Sequence, residues 1–171
     1  MSVKRSNGIQ YIGKFKHMKN CYYYESPIGT LCIEEDDDFI VGLHIEDGAG
    51  GTNGHETALL EKTVRELSEY FAGRRTSFDI PVRASGTGFQ EKVWEQLRHI
   101  PYGETRSYGA VAKAAGNPKA ARAVGHANNR NPIMILIPCH RVIGADGSLV
   151  GFGGGIPAKK YLLDLESQNK E

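Results

Sequence analysis

No stretch of the 171-residue chain approaches the roughly 20 consecutive apolar residues needed to cross a bilayer. The opening MSVKRSNGIQYIGKFKHMKN is basic but has no apolar core, so neither a membrane anchor nor a secretory leader is expected. Cysteine is scarce. Cys21, Cys32 and Cys139 are odd in number and form no CxxC pair, which argues against a disulfide framework and a zinc ribbon. Reduced thiols, a cytoplasmic setting and no structural metal are therefore expected. Net charge is also nearly lacking, at +1, and with 40 % hydrophobic and 24 % charged residues the composition excludes disordered and collagen-like classes.

What is there becomes visible once the chain is divided. From Met1 to Val82 nine Lys/Arg face thirteen Asp/Glu, whereas from Arg83 to Ala145 nine face three, so a net +6 sits in the middle segment. Such asymmetry points to a polyanionic partner for that segment, although surface charge also serves solubility.

YYYESPIGTLCIEE and FIVGLHIE are rich in β-branched and aromatic residues and read as a hairpin with the acidic run Glu34 to Asp38 as its turn. Glu56 to Phe71 places Leu60, Val64, Leu67 and Phe71 at helical spacing before a stop at Gly73, and Phe78 to Ile80 reads as a short strand. Thr87 with Gln90 is a capping-box signature for a helix whose Val93, Trp94 and Leu97 share a side. Ser107 then caps a helix with Val111, Ala112 and Ala115 inward. After Gly116, Asn117 and Pro118 read as N-cap and N1 of another, which makes a helix-turn-helix. A last helix over 157–166 is expected to pack Tyr161, Leu162 and Leu165. The expected class is α+β: a basic extension over 1–20 with scope for mobility, a small sheet-plus-helix domain over 21–82, and a mainly helical domain over 83–171.

The second helix of the pair lacks the long polar side chains that read base edges in a major groove. PKAARAVGHAN offers small residues and one long cation, Arg122, which suits sequence-independent binding in a minor groove and equally suits plain tight helix packing. Tyr108, at the start of the first helix, fits a groove edge or an ordinary core aromatic.

ILIPCHRVI places Cys139, His140 and Arg141 inside an apolar run. A buried structural cysteine is one reading. The other is a nucleophile, since His140 and Arg141 offer a base and a cation to a thiol that apolar surroundings would otherwise keep protonated. In a plain strand Cys139 and His140 would point to opposite faces, so cooperation requires a tight turn, which Asn131 in NRNP is suited to brace.

PCHR in this setting, preceded by GNPKAARAVG and NP and followed by GFGGG, resembles the O6-alkylguanine-DNA alkyltransferases. The likeness runs from about Thr87 to Glu166, with a fainter echo in SPIGTL. It implies a helix-turn-helix that enters the minor groove of double-stranded DNA and flips out O6-alkylguanine, or O4-alkylthymine, so that a thiolate takes the alkyl group once and irreversibly. By this resemblance Cys139 is the acceptor, His140 the base acting through a water, Glu166 the carboxylate that orients His140, and Asn131 the brace of the turn. Arg122 would fill the vacated stack and Tyr108 would rotate the nucleotide and donate to guanine N3. Ala121 and Gly125 would lie along the groove, with Met134, Phe152, Gly153 and Gly154 around the base. A monomer with no cofactor is implied.

Phe152 and Gly153 stand where similar proteins often carry a hydroxyl-bearing aromatic and a serine, leaving the backbone N–H groups of Gly153 and Gly154 as candidate donors and a roomier lip. Three other readings remain at this point. One is a lesion sensor, against which Cys139 itself argues. The others are a helix-turn-helix regulator and a Cys-His hydrolase.

Overall fold

The computed structural model describes residues 19–171, so the basic extension expected over 1–20 lies outside the described residues except for its last two positions. Three antiparallel strands open the chain: β1 (Asn20–Ser26), β2 (Gly29–Asp36) and β3 (Phe39–Ile45), in that order across the sheet. The expected single hairpin is thus two. The first turn is Pro27-Ile28, where Ser26 pairs with Gly29, and the second is only Asp37-Asp38, because Glu34 to Asp36 continue the strand past a bulge.

α1 (Ala58–Phe71) is capped by the Thr57 hydroxyl and stopped at Gly73, whose φ of +72° is the left-handed conformation expected there. It buries Leu60, Thr63, Glu66, Leu67 and Tyr70. The predicted strand at 78–80 does not form. The Asp79 N–H donates instead to the buried Glu66 carboxylate (2.9 Å), and the chain pairs with the sheet further on, at Val82, which bridges to Ile40.

α2 (Gly88–Arg98) carries the predicted capping box and buries Val93, Trp94 and Leu97. A two-residue parallel pairing of β4 (Arg106–Ser107) with β5 (Val142–Ile143) precedes α3 (Tyr108–Ala114), which Ser107 caps as expected. α4 (Ala121–Asn129) begins later than the sequence suggested. Asn117 Oδ1 accepts from the Lys119 N–H (3.2 Å), closing a local turn over 117–120 in place of an N-cap. The Trp94 indole donates to the Ala127 carbonyl (2.8 Å) and ties α2 to α4.

α5 (Ile156–Gln168) buries Ala158, Lys159, Leu162 and Glu166. Tyr161, expected inward, lies at the edge of this stripe, 37 % exposed, tilted over Phe71. Among the described residues, no helix is long and apolar enough to cross a membrane.

The sheet positions the functional segment directly. The Leu43 N–H donates to the Pro132 carbonyl (2.8 Å) and the Leu43 carbonyl accepts from Met134 N–H (3.0 Å), so the far edge of β3 holds the chain that leads to Cys139. Proline is tolerated at this bridge because only its carbonyl is used.

Candidate active site

Residues 131–141 form a knot of short-range bonds. Asn131 Nδ2 donates to the Ile137 carbonyl (2.8 Å), and Asn131 Oδ1 accepts from the Ile133 N–H (3.0 Å). Ile135 sits at φ +70°, a costly conformation for a β-branched residue, and this bracing holds it there. Pro138 then leads into a single 3-10 turn, Cys139–Arg141. That is the tight turn required for Cys139 and His140 to serve one site.

Cys139 is 3 % exposed and opens on a pocket of about 170 Å³ lined by Asn131, Met134, Phe152, Gly153 and Gly154, with Ile45 reaching in from the end of β3. Burial pushes the thiol up to about 11, against the opposing pull of the Asn131 side chain and the Lys159 charge.

Behind the thiol, His140 Nε2 lies 2.7 Å from Glu166 Oε1. Glu166 also accepts from Tyr70 Oη (2.8 Å), from Arg141 Nε (2.9 Å) and Nη2 (2.8 Å), and from the Gly103 N–H (3.1 Å). Burial alone would raise this carboxyl, but the hydrogen bonds and charges of His140 and Arg141 outweigh it and hold Glu166 well below the ordinary carboxylate range. Burial depresses His140 despite the carboxylate, so the ring is neutral at pH 7. With Nε2–H donating to Glu166, its lone pair resides on Nδ1, which is buried without a protein partner among the described residues. The arrangement is an oriented base beside a thiol.

One assignment from sequence changes. Arg141, offered as a cation for the thiol, points the other way: besides Glu166 it donates to the Ile100 carbonyl (2.7 Å) and lies over the Tyr102 ring. The cation near Cys139 is Lys159, fully buried, donating to the Val142 and Val150 carbonyls and pushed down to about 8 by burial. Sequence reasoning passed over it because it sits on α5 next to the exposed Lys160, and nothing in the pattern marks it as the buried one of the two. Asn128 was missed too. It is 1 % exposed and its Nδ2 bridges the Cys139 and Gly151 carbonyls (3.2 Å each).

Tyr108 is half-buried, its hydroxyl donating to the Val150 carbonyl at 2.5 Å. Gly125 faces its ring, Ala121 is half-buried, and Arg122 is exposed, with no ion pair or side-chain hydrogen bond among the described residues. At Gly154 an added Cβ would fall 2.9 Å from the Phe152 ring and 3.1 Å from Ile45, so this glycine is demanded by packing. At Gly153 the nearest obstacle is the Asn129 backbone carbonyl at 3.2 Å, a tight contact that a Cβ would require to give by a few tenths of an ångström.

Two family models divide this chain between them: the ribonuclease-like domain of 6-O-methylguanine DNA methyltransferase matches residues 20–84, and the DNA binding domain matches 88–168. The chain belongs to the 6-O-methylguanine DNA methyltransferase family. It is 46 % identical over 152 residues to a methylated-DNA--protein-cysteine methyltransferase of Methanosarcina acetivorans, covering 85 % of this chain and 97 % of the relative. The fold matches the crystal structure of Mycobacterium tuberculosis O6-methylguanine methyltransferase with a TM-score of 0.82 and 43 % identity, covering 90 % and 96 % of the two chains. A structure of the M. tuberculosis protein in complex with DNA matches with a TM-score of 0.79 and 46 % identity over 86 % and 92 %.

Proposed function

We propose that this protein is a methylated-DNA-protein-cysteine methyltransferase that repairs O6-alkylguanine, and O4-alkylthymine, by moving the alkyl group irreversibly to Cys139. The observation that carries this reading is the buried Cys139 thiol at the floor of a pocket, backed by the His140–Glu166 pair 2.7 Å apart.

In the proposed step, His140 Nδ1 takes the Cys139 proton through a water, while Glu166 stabilises the imidazolium. The thiolate attacks the alkyl carbon in line, forming an S–C bond as the C–O6 bond breaks. Guanine leaves with the electron pair and recovers a proton from the imidazolium by the same water. A soft sulfur nucleophile suits displacement at saturated carbon, and the thioether product resists hydrolysis, so each molecule acts once and needs no cofactor.

Substrate reaches the pocket by base flipping. The thin face of α4, with Ala121 and Gly125, follows the minor groove, Arg122 fills the gap in the stack, and Tyr108 turns from Val150 toward guanine N3. Phe152 and Met134 flank the base, with the N–H groups of Gly153 and Gly154 at its O6. The basic excess of residues 83–145 supplies sequence-independent attraction to phosphate. A boundary at 82/83, a monomeric state and a reducing cytoplasmic setting, in keeping with its free thiols, belong to the same reading. The test is incubation with a duplex carrying O6-methylguanine. Loss of the lesion should saturate at one per protein; continued turnover, or no loss, overturns the reading.

A further inference from the structure

A polar atom of the pocket is left over by the contacts described so far. Asn128, on the last turn of α4, lines the cavity at Cys139 and is almost fully buried. Its Nδ2 is spent on two backbone carbonyls, those of Cys139 and Gly151, at 3.2 Å each. That fixes the amide, because the flipped orientation would set Oδ1 against both carbonyl oxygens. Oδ1 is therefore the free end, an acceptor buried with no hydrogen-bond partner among the described residues. The neighbouring Asn131 cannot take its place: its Oδ1 accepts from the Ile133 N–H (3.0 Å) and its Nδ2 donates to the Ile137 carbonyl (2.8 Å). A buried acceptor without a donor is costly and calls for a partner.

The polar contacts proposed for the flipped base are all of one kind. The Gly153 and Gly154 N–H groups at O6 and the Tyr108 hydroxyl at N3 are donors from the protein to acceptors on the base. An O6-alkylguanine has lost its N1–H, so in a nucleotide its only N–H donors are the two of the 2-amino group. Flipping takes that amine out of water and into a pocket walled by Phe152 and Met134, where a donor without an acceptor loses the hydrogen bonds that water gave it. The base thus brings a donor in need of an acceptor, and the pocket holds an acceptor in need of a donor.

We infer that Asn128 Oδ1 accepts a hydrogen bond from the 2-amino group of the flipped O6-alkylguanine, which makes Asn128 a specificity-determining residue for this lesion against bases that lack the amine. The inference rests on the alkyl-transfer reading. O4-alkylthymine has no N–H donor at all, so it leaves Oδ1 unmet and is the poorer substrate. O6-alkylhypoxanthine, which lacks only the amine, is poorer for the same reason. A site built around a hydrogen bond rejects an analogue without it far more strongly than an apolar pocket rejects a change of shape. Because the same amide holds the Cys139 carbonyl, the bond also registers the base against the turn that carries the thiol.

The test compares single-turnover rate constants on two duplexes that differ only in the 2-amino group, one carrying O6-methylguanine and the other O6-methylhypoxanthine. The native protein should transfer from the guanine lesion at least about fivefold faster. In Asn128→Leu, which has neither amide atom, both rates fall as the turn loosens, and the preference should shrink to within about twofold. Asn128→Asp, protonated between the two carbonyls, keeps an acceptor oxygen and should keep the preference. The intrinsic reactivities of the two bases cancel when the ratio is compared between proteins, so a purely structural role for Asn128 lowers both rates and leaves the ratio alone. A native ratio near one, a ratio retained in Asn128→Leu, or a ratio lost in Asn128→Asp overturns the inference and leaves the alkyl-transfer reading standing. No transfer from O6-methylguanine by the native protein defeats that reading, and the inference with it.

Discussion

The Tyr70 hydroxyl donates to Glu166 at 2.8 Å across 96 positions of sequence, joining α1 of the sheet unit to the carboxylate that orients His140. Both residues are fully buried. The sheet unit therefore supports the reacting end of the molecule twice, through this bond and through the edge of β3 that carries Pro132 to Met134. Tyr70→Phe removes one donor from a buried carboxylate and should cost about 2 kcal/mol. Urea unfolding checks this, with duplex affinity unchanged.

Stability should fall on acidification in two stages. His140 has a folded pKa below its ordinary 6.5, so its contribution is complete above that value and is lost as pH falls beneath it. Glu166 is likewise depressed, from an ordinary 4.5, and its contribution is lost only as pH falls below 4.5 toward its folded value. Unfolding free energies measured between pH 7.5 and about 3.5 should hold down to about 6.5, decline below it, and decline again below 4.5. The transfer rate should show no loss of base function until the pH is below 6.5.

Asn131→Ala removes both the acceptor of the Ile133 N–H and the donor to the Ile137 carbonyl. Each buried backbone group left unpaired costs roughly 1–3 kcal/mol, and the turn that aims Cys139 loosens. A single-turnover assay should show transfer slowed by at least about tenfold, while binding to undamaged duplex stays within about twofold.

Arg122 is exposed, so Arg122→Ala should leave the Tm unchanged. Its proposed role lies only in filling the vacated stack. Transfer from a lesion in duplex DNA should therefore slow markedly, while transfer from O6-benzylguanine as a free base should not. Equal losses on both substrates would remove Arg122 from base flipping.

Gly153→Ser tests the lip of the pocket. The new Cβ meets only the Asn129 carbonyl at 3.2 Å, and its hydroxyl is a further donor near guanine O6. Methyl transfer should quicken relative to benzyl transfer. Unchanged rates on both substrates would show that the glycine lip sets no preference.

Features determined by neighbours in sequence were legible before folding. The Thr87–Gln90 box, the Ser107 cap and the Gly73 stop each depend on residues within one helical turn, and each formed as expected. The start of α4 was missed because the Asn117 side chain closed a turn two residues on, a competition that sequence pattern alone does not resolve. Cys139 and His140 stood out as a thiol and a base inside an apolar run, Glu166 was named from the resemblance, and the structure brings His140 and Glu166 into contact. Tyr70, Asn128 and Lys159 had no signal. Their roles arise from partners brought close by the fold, and a tyrosine, an asparagine and a lysine on helices carry no mark of burial.

The central claim is that Cys139 receives the alkyl group, and intact-mass measurement with peptide mapping after one turnover on an O6-methylguanine duplex tests it most directly. The account predicts one added methyl per chain, located on Cys139 and absent in Cys139→Ala. Bound DNA with an unmodified Cys139, or a methyl on Cys21 or Cys32, would contradict it.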